Sequence, residues 1–147
     1  MIDASGFFRY PTEPDLPVIA AGFLTGKTQE EWATFLAYTE TRRFRKGERP
    51  LEQGAADRAL YLLVDGRLEG PGGVIEPVTT IGEGAFFDGS PRRAAIRALT
   101  DGELVRLGWD AFEALAAREP ILARDVLVDL GRILAARLRG ADAGWTG

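Results

Sequence analysis

Arg92 and Arg93 stand directly before Ala94 and Ala95, downstream of a Gly82-Glu83-Gly84 turn. Guanidinium groups beside small residues suit one chemistry. An oxyanion can lie between a planar fork of N–H donors and uncrowded backbone N–H groups. The anion would be a phosphate or a carboxylate. A second reading stays open, in which these are loop arginines satisfied by solvent or a nearby carboxylate. An inward-pointing Arg92 would require a partner, because an unpaired buried guanidinium is costly. Phe86 and Phe87 could line an adenine or other apolar pocket, although such aromatics more often fill a core. Gly82 and Gly84 read as turn glycines at positive φ. No helical pattern directly follows them, so the Gly-x-Gly does not read as a phosphate loop opening a helix.

Other chemistries find little support. The chain has no histidine and no cysteine, which removes the usual general base, thiolate nucleophile and transition-metal ligands. Its serines are Ser5 and Ser90 and its lysines Lys27 and Lys46. Carboxylates such as Asp57, Asp65, Glu69 and Glu76 are scattered among turns without paired spacing. The chain therefore reads as a non-enzyme without a metal site. A net charge of −4 gives no overall basic signature for nucleic acid. No apolar run reaches membrane-spanning length, and residues 1–20 lack the pattern of a signal peptide, so the expected location is cytoplasmic with no membrane partner.

The elements that must position these residues follow from periodicity. Residues 1–27 form a proline-punctuated lead-in, with a short helix possible over 17–24. Thr28 and Glu31 have capping-box spacing, and Trp32, Phe35, Leu36 and Thr39 continue it as a helix ending near 38–40. Strand-like runs then appear at 41–45, 49–52, 59–65, 67–70, 74–80, 94–99 and 103–108, separated by many of the chain's 18 glycines. In 59–65 apolar residues occupy both alternating sets, which predicts a strand buried on both faces. Asp65-Gly66 is a two-residue hairpin signal. A short helix at 110–115 precedes a longer one opened by Pro120. In that helix Leu122, Val126, Leu127, Leu130, Ile133, Leu134, Arg137 and Leu138 trace a stripe, and Gly140 stops it. Arg132, Arg137 and Arg139 read as a solvated basic end. Residues 141–147 read as a frayed tail. The fold class is mainly β with flanking helices: a double-stranded β-helix, or jelly roll, with N-terminal and C-terminal helices. It forms one domain over 28–140.

The run IGEGAFFDGSPRRAAIRA over 81–98 resembles the phosphate-binding cassette of cyclic-nucleotide-binding domains, whose usual form reads like GxFFGExALLxGxPRxAT. Residues 23–54, the pair 56–61 and 64–69, and 98–112 are similar in order to that family's opening helix, its strand pair and its closing strands. The resemblance matches Phe86-Phe87 to the aromatics before the Gly-Glu turn, so the cassette reads as shortened and the turn's glutamate has no counterpart. Glu83 precedes the phenylalanines in this reading, and Asp88 is nearer. The resemblance aligns Arg92 with the arginine that meets the cyclic phosphate. It keeps Ala94 as the small residue and places Ala95 where a Thr or Ser is common. The ligand-binding set is thus Arg92, Arg93, Ala94, Ala95, Phe86 and Phe87.

The resemblance implies a non-enzymatic regulatory or sensor domain whose ligand would be cyclic AMP or cyclic GMP, bound weakly or no longer bound, or another small anion. The alternative is a degenerate jelly-roll module in protein–protein interaction or dimerisation without a small-molecule ligand. The C-terminal helices could pack on their own barrel or form a homodimer, as the family's dimerising helix does. Regulators of this family carry a DNA-binding helix-turn-helix after the long helix. The chain ends at Gly147, so no DNA contact is expected.

Overall fold

In a computed structural model of the chain, residues 23–140 are described. The expected lead-in helix at 17–24 and the frayed tail lie almost wholly outside them. Phe23 and Leu24, the part within, form a bend. Helix α1, Gln29–Leu36, starts where the capping box predicted. Thr28 Oγ1 accepts from the Glu31 amide and Glu31 Oε1 from the Thr28 amide, each at 3.1 Å. Two of the orphan N–H groups at the helix start are thereby satisfied. The helix ends slightly early, and two turn bonds carry the chain through Tyr38 and Thr39.

The strands are β1 Glu40–Phe44, β2 Ala59–Asp65, β3 Leu68–Gly70, β4 Gly73–Ile75, β5 Thr79–Ile81, β6 Arg97–Ala98 and β7 Gly102–Gly108. They form two antiparallel sheets, ordered β1-β7-β2-β5 and β4-β3-β6. The sheets do not close into one barrel. Helix α2, Glu83–Asp88, follows β5. Helices α3, Trp109–Arg118, and α4, Pro120–Gly140, complete the chain. Among the described residues no helix is long and apolar enough to cross a membrane.

Strand β2 is buried on both faces, as its composition implied. Leu60, Leu62 and Val64 join a core shared with α1, α3 and α4. Ala59, Tyr61 and Leu63 join a second core, between the sheets, with Phe44, Leu68, Ala98 and Leu104. This two-sidedness separates side chains that are close in sequence.

Several expected strands differ. The run 74–80 is split between the sheets, with β4 and β5 on either side of Glu76-Pro77. Pro77 has no amide to offer a ladder, so the strand breaks there and the chain changes sheet. The run 49–52 supplies only a bridge from Leu51 to Ile96, and of 94–99 only two residues are strand. Asp65-Gly66 does turn the chain, but β2 and β3 lie in different sheets and make no hairpin ladder. Gly66 has φ +86, and a Cβ there would meet the Asp101 carbonyl oxygen at 2.5 Å. That turn packs against the β6–β7 connection, whose crowding outweighs local hairpin preference.

Candidate functional site

The segment after β5 is organised differently from the sequence expectation. Gly82, at φ +83, is the N-cap of α2, and the helix opens immediately with Glu83. The Phe86 amide donates to the Gly82 carbonyl at 3.1 Å, the first turn of that helix. Gly82 is thus a left-handed turn glycine as read, whereas Gly84 is an ordinary helical residue. With the helix as guide, Gly82-Glu83-Gly84-Ala85-Phe86-Phe87-Asp88-Gly89-Ser90-Pro91-Arg92-Arg93-Ala94-Ala95 fits GExALLxGxPRxAT without a gap. Phe86 and Phe87 occupy the two leucine positions inside the helix, not the aromatic positions before the turn. The shortened cassette is therefore replaced by one of full length, with Glu83 as its acidic residue. The Phe-Phe pair imitates the aromatics that precede the turn, and a helix of six residues without a side-chain N-cap leaves little periodicity to read.

Arg92 turns inward and is 6% exposed. Its own peptide group is fixed first: its amide donates to the Ala55 carbonyl at 3.1 Å, and its carbonyl accepts from Gly54 at 2.8 Å. From there Nη2 donates to the carbonyls of Ala59 at 2.7 Å and Asp57 at 3.0 Å, and Nη1 to that of Gly82 at 3.3 Å. The guanidinium lies 5.2 Å from the centre of the Tyr61 ring. The anionic partner demanded by burial is Asp57, whose Oδ2 stands 3.6 Å from Nη2.

Asp57 has further partners. Arg106 on β7 reaches its Oδ1 at 2.7 Å, and the Tyr61 hydroxyl donates to its Oδ2 at 2.5 Å. Burial pushes the Asp57 carboxyl up. The hydrogen bonds from Tyr61 and Arg106 and the charges of both arginines outweigh it, so the group sits below the ordinary carboxylate value. Burial and then the Asp57 carboxylate push the Tyr61 phenol up. Arg106 also pairs with Glu40 at 3.1 Å. Register explains this gathering: Tyr61 is opposite Arg106, and Arg106 opposite Glu40, so the three share one sheet face.

Glu83 is 5% exposed and lies elsewhere. Its Oε1 accepts from Thr80 Oγ1 at 2.6 Å and from Arg137 Nη1 at 2.7 Å. Thr80 is opposite Leu62, which belongs to the helix-side core, whereas Tyr61 beneath Arg92 belongs to the core between the sheets. The cassette's acid and its arginine are thus directed to opposite faces of the β2–β5 pair. Arg137 is correspondingly not part of a solvated basic end, although Arg132 and Arg139 are exposed as expected.

Of the remaining expected ligand residues, Arg93 is exposed and Ala94 and Ala95 are half-buried. Phe86 is fully buried in a cluster of rings, 5.1 Å from Trp109 and 5.4 Å from Phe112. Phe87 is half-buried against it. Arg58 covers the end of α2: Nε donates to the Phe86 carbonyl at 2.9 Å and Nη2 to that of Phe87 at 2.7 Å. Its guanidinium stacks 3.8 Å above the Trp109 ring. These bonds lock the cassette helix onto α3. Two surface hollows, of about 380 and 540 Å³, lie at Arg43–Glu103 and at Tyr38–Trp109, and neither is lined by Arg92 or Glu83. Among the described residues no carboxylate cluster is suited to a metal ion.

Sequence reading missed Asp57, Tyr61, Arg106, Arg58 and Thr80. Arg137 carried a usable signal, because an arginine four residues after Ile133 continues the buried face of α4 and calls for an acidic partner. Asp57 in a turn carried none.

Known proteins resemble this chain in sequence and in fold. The family model described as the cyclic nucleotide-binding domain matches residues 41–119. A cyclic AMP receptor protein of Thermus thermophilus is 31% identical over 127 residues, which is 80% of this chain and 57% of that protein. A cAMP-dependent protein kinase regulatory subunit of Emericella nidulans is 37% identical over 83 residues, 52% of this chain and 20% of that one. The chain thus spans little more than half the length of the first relative and a fifth of the second. A cyclic nucleotide-binding domain from Methylobacillus flagellatus superposes with a TM-score of 0.74 at 23% identity, covering 92% of this chain and 78% of the other, and shares the jelly-roll fold.

Proposed function

Because the chain belongs to the cyclic nucleotide-binding domain family, we propose that it works as a non-enzymatic regulatory sensor domain whose ligand site is engaged by its own side chains, so that cyclic AMP or cyclic GMP binds weakly. The observation that carries this reading is the division of the cassette. Arg92 is spent on three backbone carbonyls and Asp57, while Glu83 is bonded to Thr80 and Arg137 on the other face. A nucleotide that needs both groups must first detach them. Each charge-assisted bond lost costs roughly 1.5–3 kcal/mol, which subtracts directly from affinity. Ala95 supplies no hydroxyl to recover part of that cost. Ligand contacts of Arg93, Ala94, Ala95 and the half-buried Phe87 belong to this proposal as well, whereas Phe86 is closed inside the ring cluster and reaches no ligand.

Titration calorimetry with cyclic AMP and cyclic GMP tests it. Dissociation constants well above the micromolar range, weakened further in a folded Arg92→Lys variant, are the expected result. Submicromolar binding by the wild-type chain would refute the self-engaged site.

One observation favours the second reading, a module that pairs with a copy of itself. The outer face of α4 leaves Ile121 73%, Val128 41% and Leu138 59% exposed, with open space beside Gly131. Spaced at three, four and seven residues along one face, Ile121, Val128, Gly131, Ala135 and Leu138 would let two such helices approach closely at the small residues. Sedimentation of the wild type and of Leu138→Glu distinguishes a dimer through this face from a monomer.

A further inference from the structure

The larger hollow, of about 540 Å³, lies where the starts of β1, β2 and α3 meet the end of β7. Arg58 and Arg106 both line it. Arg58 is firmly held yet incompletely used. Its Nε and Nη2 donate to the Phe86 and Phe87 carbonyls and its guanidinium stacks on Trp109, which leaves Nη1 without a partner among the described residues. None of those residues offers Arg58 a carboxylate. A half-buried guanidinium bonded only to carbonyls keeps its charge uncompensated, and an oxyanion is the group that compensates it.

Arg106 supplies a second seat, and the chain itself shows what fits there. Its Nη2 is fixed by Asp57 at 2.7 Å, whereas its Nη1 takes the Glu40 carboxylate at 3.1 Å. The Glu40 side chain is 61% exposed, so water screens this pair and it is readily exchanged. Gly108 keeps the seat open. A Cβ there would lie 2.9 Å from Arg106 Nη1, although φ −71 at Gly108 suits any residue. Counted with Arg92, three guanidiniums share only Asp57 and Glu40 as acids, and Asp110 stands exposed at the rim.

The geometry points to a second anion site, separate from the cassette, in which a small carboxylate- or phosphate-bearing molecule accepts from Arg58 Nη1 and Arg106 Nη1 and displaces Glu40 into solvent. The volume is in the range of small-molecule sites. The inference does not depend on the nucleotide reading, since neither Arg92 nor Glu83 lines the hollow.

The test is an amide and indole NMR titration of the full chain with inorganic phosphate and, separately, acetate, each against chloride at matched ionic strength. Saturable shifts at 108–111 and at the Trp109 indole with either anion uphold the site, and the tighter anion identifies the group it takes. Glu40→Gln should bind about threefold tighter, by vacating Arg106 Nη1. Gly108→Ala should bind about tenfold more weakly, by crowding that nitrogen on an ordinary backbone. Arg58→Met should lose about as much; if it does not fold, the other two variants carry the test, because both leave the Arg58 bonds intact. Shifts that never saturate or that chloride reproduces, an adventitious ion only, overturn the site. So does unchanged affinity in both Glu40→Gln and Gly108→Ala. Saturable shifts confined to 89–94 would put the anion at Arg92, overturning the second site while leaving the cassette reading intact.

Discussion

Replacing Gly82 by alanine probes the centre of the site with one methyl group. Two costs are visible. Gly82 sits at φ +83, where an L-residue pays about 1–2 kcal/mol. A Cβ built there would lie 1.8 Å from Arg92 Nη1 and 2.9 Å from its Cζ, inside any contact distance. The guanidinium cannot simply retreat, because Nη2 is held by the carbonyls of Ala59 and Asp57 in a nearly closed environment. Displacing it forfeits at least one charge-assisted bond, about 1.5–3 kcal/mol. The sum is about 2.5–5 kcal/mol, a large part of a typical domain's stability. Urea unfolding measures it directly. Gly84→Ala is the control, since that glycine is helical with open space around it, and alanine there should stabilise by about 0.5–1 kcal/mol. The cause of the Gly82 effect is separable by repeating it in an Arg92→Ala background, where only the backbone cost of about 1–2 kcal/mol should remain. An equal loss with and without Arg92, or a Gly82→Ala protein within 0.5 kcal/mol of wild type, would refute this placement of the guanidinium against the turn.

Asp57 provides a pH test: its carboxyl is held below the ordinary value when folded, so its contribution is complete above about pH 4 and is lost as pH falls through the folded value. The stability gap between wild type and Asp57→Asn in urea titrations should therefore be widest near neutrality and narrow towards acid; a constant gap would remove the Asp57 cluster as its source. Phe86→Ala empties the centre of a ring cluster and should cost about 3–5 kcal/mol, with Phe87→Ala costing distinctly less because Phe87 is only half-buried. Thr28→Ala breaks the capping box of α1 and should cost about 1 kcal/mol in thermal or urea unfolding, with the loss confined to one cap.

How much of this was legible beforehand varies by the range of the interaction. Local signals served well: Thr28 and Glu31 are three residues apart, and the start they marked is the start of α1. The double-sided burial of β2 and the opening of α4 at Pro120 were equally local in origin. The cassette was legible as a family resemblance in Pro91, Arg92 and Ala94, but the Phe-Phe pair shifted its first half by one motif, because a six-residue helix has too few turns to show a period. Pro77 carried its own warning, yet only the pairing of β4 with β3 and of β5 with β2 shows that the chain leaves one sheet for the other there.

The sequence by itself determined the inventory: no imidazole or thiol for catalysis, an arginine beside small residues, alternating and helical runs in the order of one family. Tertiary structure decided what that inventory is engaged in. Arg92 meets Asp57 across 35 positions, and Glu83 meets Arg137 across 54. Which face each side chain takes depends on strand register, and register is set by the packing of two cores on either side of β2. Spacing along the chain fixes neighbours three or four residues apart, but it carries no information on which distant carbonyl or carboxylate a buried guanidinium will find.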